Sequence, residues 1–354
     1  MKILQLTFTY GNNMGAMLQA YALNRVLREL GNECHLLPMY EDAFHLPKQN
    51  LNIENKIFRI LRFYKNRNYT DAWFYRFNQF LYDHCAFAPY VSMEELSALE
   101  SAYDLFLVGS DQVWNALQYD TAPYFLEWVG DKKKRCSYAA SLGDYSIRLK
   151  NDPVAKKIRE FDNISFRERM DYEDALRNEM QCRLDLDPTF LLTREQWMEL
   201  TQKPYGDLQD CVVLFGYDKS SFQFAKAYAR EKGKRFCIVN YFGNRMFPGI
   251  SIYNPSSPLE LLSVIRHAYC VVTHSYHVFI LSLNLNKQVF CSEWKNTKRG
   301  NRMQTVVDLF DLKNRTARLD NMDCVIDWEM FNKKLEGERQ RSLAFLRSVT
   351  GHDR

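Results

Sequence analysis

The stretch Thr7 to Leu30, TFTYGNNMGAMLQAYALNRVLREL, constrains the fold more than any other part of the chain. An apolar run from Ile3 to Phe8 ends in Tyr10-Gly11-Asn12-Asn13. Ala16, Ala20, Leu23, Leu27 and Leu30 then recur four and three apart, the spacing of one helix face. The pattern predicts strand, tight loop and helix in immediate succession. Gly11 and Gly15 let the backbone come close to a ligand, and Asn12 and Asn13 are residues that cap helices. The loop is therefore either an ordinary βα turn or a cradle of amide N–H groups for an anion. No complete phosphate-loop or dinucleotide fingerprint stands here.

Gly31-Asn32 stops the helix and Cys34 to Tyr40 reads as the next strand, a βαβ opening of the kind that builds parallel sheets. From Asn50 to about His84 the pattern changes. Ile57, Phe58, Ile60, Leu61 and Tyr64 share one helical face, and Lys56, Arg59, Arg62, Lys65 and Arg67 occupy most of the other. Such a helix docks its apolar face on its own domain or lies on an anionic membrane.

The apolar run Leu105 to Val108 leads into Gly109-Ser110-Asp111, and short strands are expected within Arg135 to Gly143 and Asn163 to Glu168. Three strand ends then share one edge, where open parallel sheets keep their ligands. Asp111 there orients a hydroxyl or acts as a base, or else caps the residues after it. Arg167 presents a rigid fork to a carboxylate or phosphate, or else pairs with Glu168. Leu184 to Leu192 reads as a Pro-containing strand and Gln202 to Gly206 as a linker, so the first domain is expected over residues 1–200 with the basic, aromatic helical insertion at about 50–84.

The alternation then restarts, with strands at Cys211 to Tyr217, Arg235 to Asn240 and Tyr269 to Val272 and helices at Ser221 to Lys232 and Pro258 to His267. The expected architecture is α/β, with two Rossmann-like domains facing a cleft. The second domain spans 207–325, and 326–354 forms a C-terminal helix that packs back across the domains. Thr273-His274-Ser275-Tyr276-His277 precedes an apolar helix from Val278 to Leu283. His277 acts there in acid/base or phosphate contact, or caps the helix. Cys270, His274 and His277 lack an evident fourth ligand, so no metal is assigned. Lys295 to Arg302 reads as a basic loop before a helix from Met303 to Phe310, either a solvated face or a cover for a phosphate. The 50–84 arm and the loop from Tyr241 to Pro255 are expected to line the pocket for the acceptor.

A chain of 354 residues with 46% hydrophobic content buries a sizeable core, and 47 basic against 43 acidic residues give no argument for nucleic acid. Nine cysteines without a C-x-x-C fit a reducing compartment. The start MKILQLTF lacks the form of a signal peptide and no apolar run of about 18 residues occurs, so a cytoplasmic location is expected.

With these pieces assembled, the sequence resembles the polysaccharide pyruvyl transferase family. The pieces are GNNMGAMLQAYAL at 11–23, VGSDQVWN at 108–115, YAASLG at 138–143, SFRE at 165–168, LDPTFLL at 186–192 and THSYH at 273–277, in the family's order. The resemblance implies a fold similar to that of the GT-B glycosyltransferases. It also implies transfer of the pyruvyl group of phosphoenolpyruvate onto two hydroxyls of one sugar, as a ketal, in a cell-surface or exopolysaccharide precursor. Phosphoenolpyruvate is then the donor substrate and no cofactor is implied. The acceptor sugar is lipid-linked or nucleotide-linked, with peripheral contact at the inner face of the membrane as an accompanying expectation.

His277 stands at the family's histidine and Arg167 at its strand-end arginine. Family members carry Ser-Phe-His-Gly after an acidic residue, or an arginine two before the histidine; this chain has His274 to Val278, with Ser275 in the arginine's place. The phosphate charge then falls to Arg302 or Arg299. The implied catalytic group is His277, Arg167, Asp111 and Glu168, and the implied binding group is Gly11, Asn12, Asn13, Gly15, Ser110, Asn115, Thr273, Ser275 and Arg302. The residues alone leave two other classes open: a glycosyltransferase using a nucleotide sugar, and a non-catalytic protein of envelope-glycan assembly.

Overall fold

The computed structural model describes residues 1–9, 13–38, 79–89, 91–117, 120–147, 151–201, 204–240, 247–292 and 298–351. The chain forms two compact units, Met1–Asp185 with Leu346–Arg354, and Leu186–Phe345. Among the described residues no helix is long and apolar enough to cross a membrane.

The first unit is built on strands β1 (Lys2–Leu6), β2 (Glu33–Leu36), β3 (Ala86–Phe87), β4 (Leu105–Val108) and β5 (Arg135–Ser137), in the order β3-β2-β1-β4-β5. All four pairings are parallel. Single parallel bridges, Cys136 to Asn163 and Ala140 to Phe166, continue this edge to the pair β6 (Ser165–Phe166) and β7 (Arg183–Leu184). Every residue of β4 is buried, which is why it reads as an unbroken apolar run rather than an alternating one. The Met14–Glu29 helix follows β1, and the Asn13 side chain caps it by accepting from the Gly15 and Ala16 amides at 3.1 and 3.3 Å.

The second unit repeats the plan with β8 (Val212–Phe215), β9 (Phe236–Val239), β10 (Ser251–Tyr253), β11 (Cys270–Thr273) and β12 (Gln288–Cys291), in the order β10-β9-β8-β11-β12 and parallel throughout. Phe224 and Tyr228 of the Lys219–Glu231 helix meet Phe290 of β12 with ring centroids 4.8 and 5.4 Å apart. Burial of each such ring is worth about 1.5–3 kcal/mol, so this contact fixes the helix on its sheet. The α/β class and the two parallel sheets follow the strand-helix alternation of the sequence.

Several elements differ from their sequence reading. Leu184 to Leu192 is not one strand: β7 ends at Leu184 and Pro188–Phe190 is a 3₁₀ turn. Pro188 has no N–H for a ladder, and Asp187 caps the turn instead by accepting from Thr189 N at 3.0 Å. Helix formation also starts earlier than expected in two places, at Tyr276 and at Lys298, so His277 and Arg302 lie on helices and not in the loops before them. Part of the loop from Tyr241 to Pro255 is strand β10. The amphipathic arm at 50–84 lies outside the described residues except for helical residues 79–84.

Candidate active site

Two groups of polar side chains stand at the carboxyl ends of the two parallel sheets. In the first unit the group rests on the loop after β4. Gly109 has φ +119°, and a side-chain carbon there would overlap the Tyr138 carbonyl, so the backbone of this loop touches its neighbour directly. Ser110 Oγ donates to the Ala139 carbonyl at 2.6 Å, and the Ser110 carbonyl accepts from Thr7 Oγ1 at 2.8 Å. Thr7 in turn accepts from Gln19 Nε2 at 2.8 Å. The ends of β1 and β4 and the first helix are thereby tied together.

Asp111 follows with φ +73° and bridges to Ala140. Its Oδ1 accepts from the Gln112 amide at 2.9 Å and lies 3.8 Å from Arg167 Nη2. Arg167 Nε donates to Glu168 Oε1 at 2.8 Å. All three side chains are at most 5% exposed. Of the two sequence readings of Arg167, the pairing with Glu168 is therefore present. Burial, and next the Glu168 carboxylate beside it, push the Asp171 carboxyl well above the usual carboxylate range. Asp171 Oδ2 also accepts from Leu142 N at 2.9 Å. Asp111 Oδ2 and Asn115 Oδ1 are buried with no hydrogen-bond donor among the described residues. Both can accept a donor brought by a ligand, while Asn115 Nδ2 is held by Gln112 Oε1 at 2.9 Å.

In the second unit the group follows β11. Thr273 Oγ1 accepts from Ser275 N at 2.9 Å, a tight turn into the Tyr276–Asn284 helix. Ser275 is the N-cap residue but gives no side-chain cap. The opening N–H groups of a helix have no acceptor within it, and its dipole favours an anion at this end. His277 sits in this first turn, buried, with Nε2 3.7 Å from Asp187 Oδ2. The Arg302 guanidinium lies over the Tyr276 ring at 5.8 Å, a cation–π contact. At the end of β8, Gly216 has φ +82°, and a side-chain carbon there would overlap the His274 ring.

The structure thus brings Asp111, Arg167 and Glu168 together, with Ser110 and Asn115 on the same loop, and gathers Thr273, Ser275, His277 and Arg302 at one helix start. Asn13 and Gly15 belong to the cap of the first helix, while Gly11 and Asn12 lie outside the described residues. Sequence reading did not assign Asp171 or Asp187. Asp171 follows Glu168 by three residues, within reach on one helical turn, and Asp187 precedes Pro188, the N-cap arrangement; either spacing is a usable signal. Cys270, His274 and His277 do not gather, and no group of three or more metal-binding side chains occurs among the described residues.

Among solved structures the chain is similar to the UDP-GlcNAc 2-epimerase of Methanocaldococcus jannaschii in complex with UDP-GlcNAc and UDP. Identity is 12%, 99% of each chain is covered and the TM-score is 0.51. It is similar too to a UDP-N-acetylglucosamine 2-epimerase structure from Listeria monocytogenes, at 10% identity over 98% of this chain and 96% of that one, TM-score 0.53. Identities this low speak for the fold alone, the α/β arrangement of GT-B glycosyltransferase-like proteins. No curated protein matches the chain. The family model for polysaccharide pyruvyl transferases matches residues 13–296, and the chain belongs to that family.

Proposed function

We propose that this transferase moves the pyruvyl group of phosphoenolpyruvate onto two hydroxyls of one sugar in a surface-polysaccharide precursor. The carrying observation is His277 in the first turn of the Tyr276–Asn284 helix, with Arg302 over the adjoining ring. An imidazole, a guanidinium and a helix start together suit a doubly charged phosphate ester.

Phosphoenolpyruvate gains a proton on its methylene carbon, which becomes the methyl group. The neighbouring carbon, now electron-poor, takes one sugar oxygen, and a second sugar oxygen then displaces phosphate. Of the two hydroxyl protons lost, one balances the new methyl C–H and the other leaves with phosphate. His277 supplies the proton and Arg302 neutralises the departing phosphate. In the first unit, Asp111 Oδ2 is a buried acceptor that a sugar hydroxyl can meet, with the Arg167 guanidinium beside it. No metal or cofactor enters this scheme.

The test is incubation with phosphoenolpyruvate and a panel of sugars, free, nucleotide-linked and lipid-linked. The reading expects phosphate release that depends on a sugar with a free hydroxyl pair, one phosphate per pyruvyl ketal found by mass spectrometry. Consumption of a UDP-sugar with phosphoenolpyruvate untouched would overturn it in favour of glycosyl transfer.

A further inference from the structure

We propose that Asp187 is the positioning residue of His277, fixing its tautomer and raising its share of imidazolium; the inference rests on the reading of His277 as the proton donor. Asp187 and His277 are 90 residues apart in sequence, yet Asp187 Oδ2 stands 3.7 Å from His277 Nε2, with the Asp187 side chain fully buried and that of His277 nearly so. The separation is in ion-pair range and longer than a direct hydrogen bond.

The carboxylate is fixed from its other side. Oδ1 accepts from the Thr189 amide at 3.0 Å and from Thr189 Oγ1 at 2.8 Å, both inside the turn that Asp187 itself caps. Pro188 sets the backbone of that turn, so Oδ2 is aimed by local chain geometry. The turn is anchored in its own unit: Arg339 Nε donates to the Phe190 carbonyl at 2.7 Å, and Asn284 Nδ2, at the far end of the histidine's helix, donates to the Thr189 carbonyl at 2.7 Å. One helix therefore carries His277 at its start and grips the aspartate's turn at its end.

The chemistry follows from two opposing fields. A helix start disfavours a cation, so His277 alone would be a poor proton donor near neutral pH. A buried carboxylate at this distance favours the imidazolium. Charged groups described on the elements packed around His277 have partners of their own. Arg302 of the Lys298–Leu309 helix lies over Tyr276. Arg266 and His267 of the Pro258–His267 helix bond to carbonyls of Met198, Thr201 and Ser263. Arg315, beside β12, bonds Gln288, and Arg339 bonds Phe190. Asp187 faces the ring in ion-pair range. In the neutral state the same carboxylate selects the tautomer with the proton on Nε2.

The test is nitrogen-detected NMR titration of His277 in the whole chain, in the native sequence and in Asp187→Asn, which keeps an oxygen for Thr189. The inference expects at least a tenfold fall in the proton affinity of His277 in the variant, and an Nε2–H tautomer for the neutral ring of the native chain. An unchanged titration in a folded Asp187→Asn, or an Nδ1–H tautomer in the native chain, would overturn it. The tautomer measurement needs no variant and decides the matter if Asp187→Asn does not fold. Phosphoenolpyruvate binding measured on the same samples separates the two claims: the expected titration without any such binding leaves the pair standing and removes the pyruvyl-transfer reading.

Discussion

Arg167 and Glu168, adjacent in sequence, form a buried ion pair in which Nε donates to Oε1 at 2.8 Å, and the same guanidinium reaches within 3.8 Å of Asp111 Oδ1. One cation thus serves two carboxylates almost out of contact with water. Arg167→Met leaves both anions uncompensated, and breaking a buried pair in this way costs about 3–5 kcal/mol. Urea denaturation should show a loss of that order, with Arg167→Lys recovering part of it because charge returns without the planar fork. An Arg167→Met chain of native stability would contradict this role.

Asp171 gives the pH dependence of the same cluster. Its folded pKa is raised, first by burial and then by Glu168. The folded state therefore binds a proton that the unfolded state releases at about pH 4. Its contribution to stability must fall as pH rises from there towards the folded pKa. Asp171→Asn keeps an acceptor for the Leu142 amide and a donor for Glu168, and removes the titration. Relative to the native chain, the variant should gain stability as pH rises above about 4; parallel stability curves would refute the assignment of the proton to Asp171.

The loop after β4 depends on Gly109. Its φ of +119° suits glycine alone, and an added methyl would overlap the Tyr138 carbonyl. Gly109→Ala should cost about 1–3 kcal/mol in thermal unfolding, and should loosen the Ser110 and Asp111 contacts along with it. Native stability in this variant would mean that the loop has room the structure does not show.

Much of this architecture is legible in the chain itself. Leu105 to Val108 reads as a strand because all four side chains are apolar and buried, and Pro258 to His267 reads as a helix because Ser257 and Pro258 announce its start. The approach of Asp187 to His277 is not legible, since no periodicity relates residues that a turn and a helix start bring together across four intervening strands. Leu184 to Leu192 misleads for a related reason. Its apolar residues suit a buried strand, but the Asp187-Pro188 pair caps a turn, and local hydrogen bonding wins over the apolar run. The site residues were recognisable as types at strand ends; which of them pair with one another depends on packing.

The central claim is that the second-unit group takes an enol phosphate, and calorimetric titration with phosphoenolpyruvate beside UDP-sugars tests it most directly. The account predicts saturable binding of phosphoenolpyruvate, weakened about tenfold or more in His277→Ala and in Arg302→Ala, as expected when a hydrogen bond to a charged group is lost. It predicts no saturable binding of the UDP-sugars alone. Saturable binding of a UDP-sugar with none of phosphoenolpyruvate would contradict it.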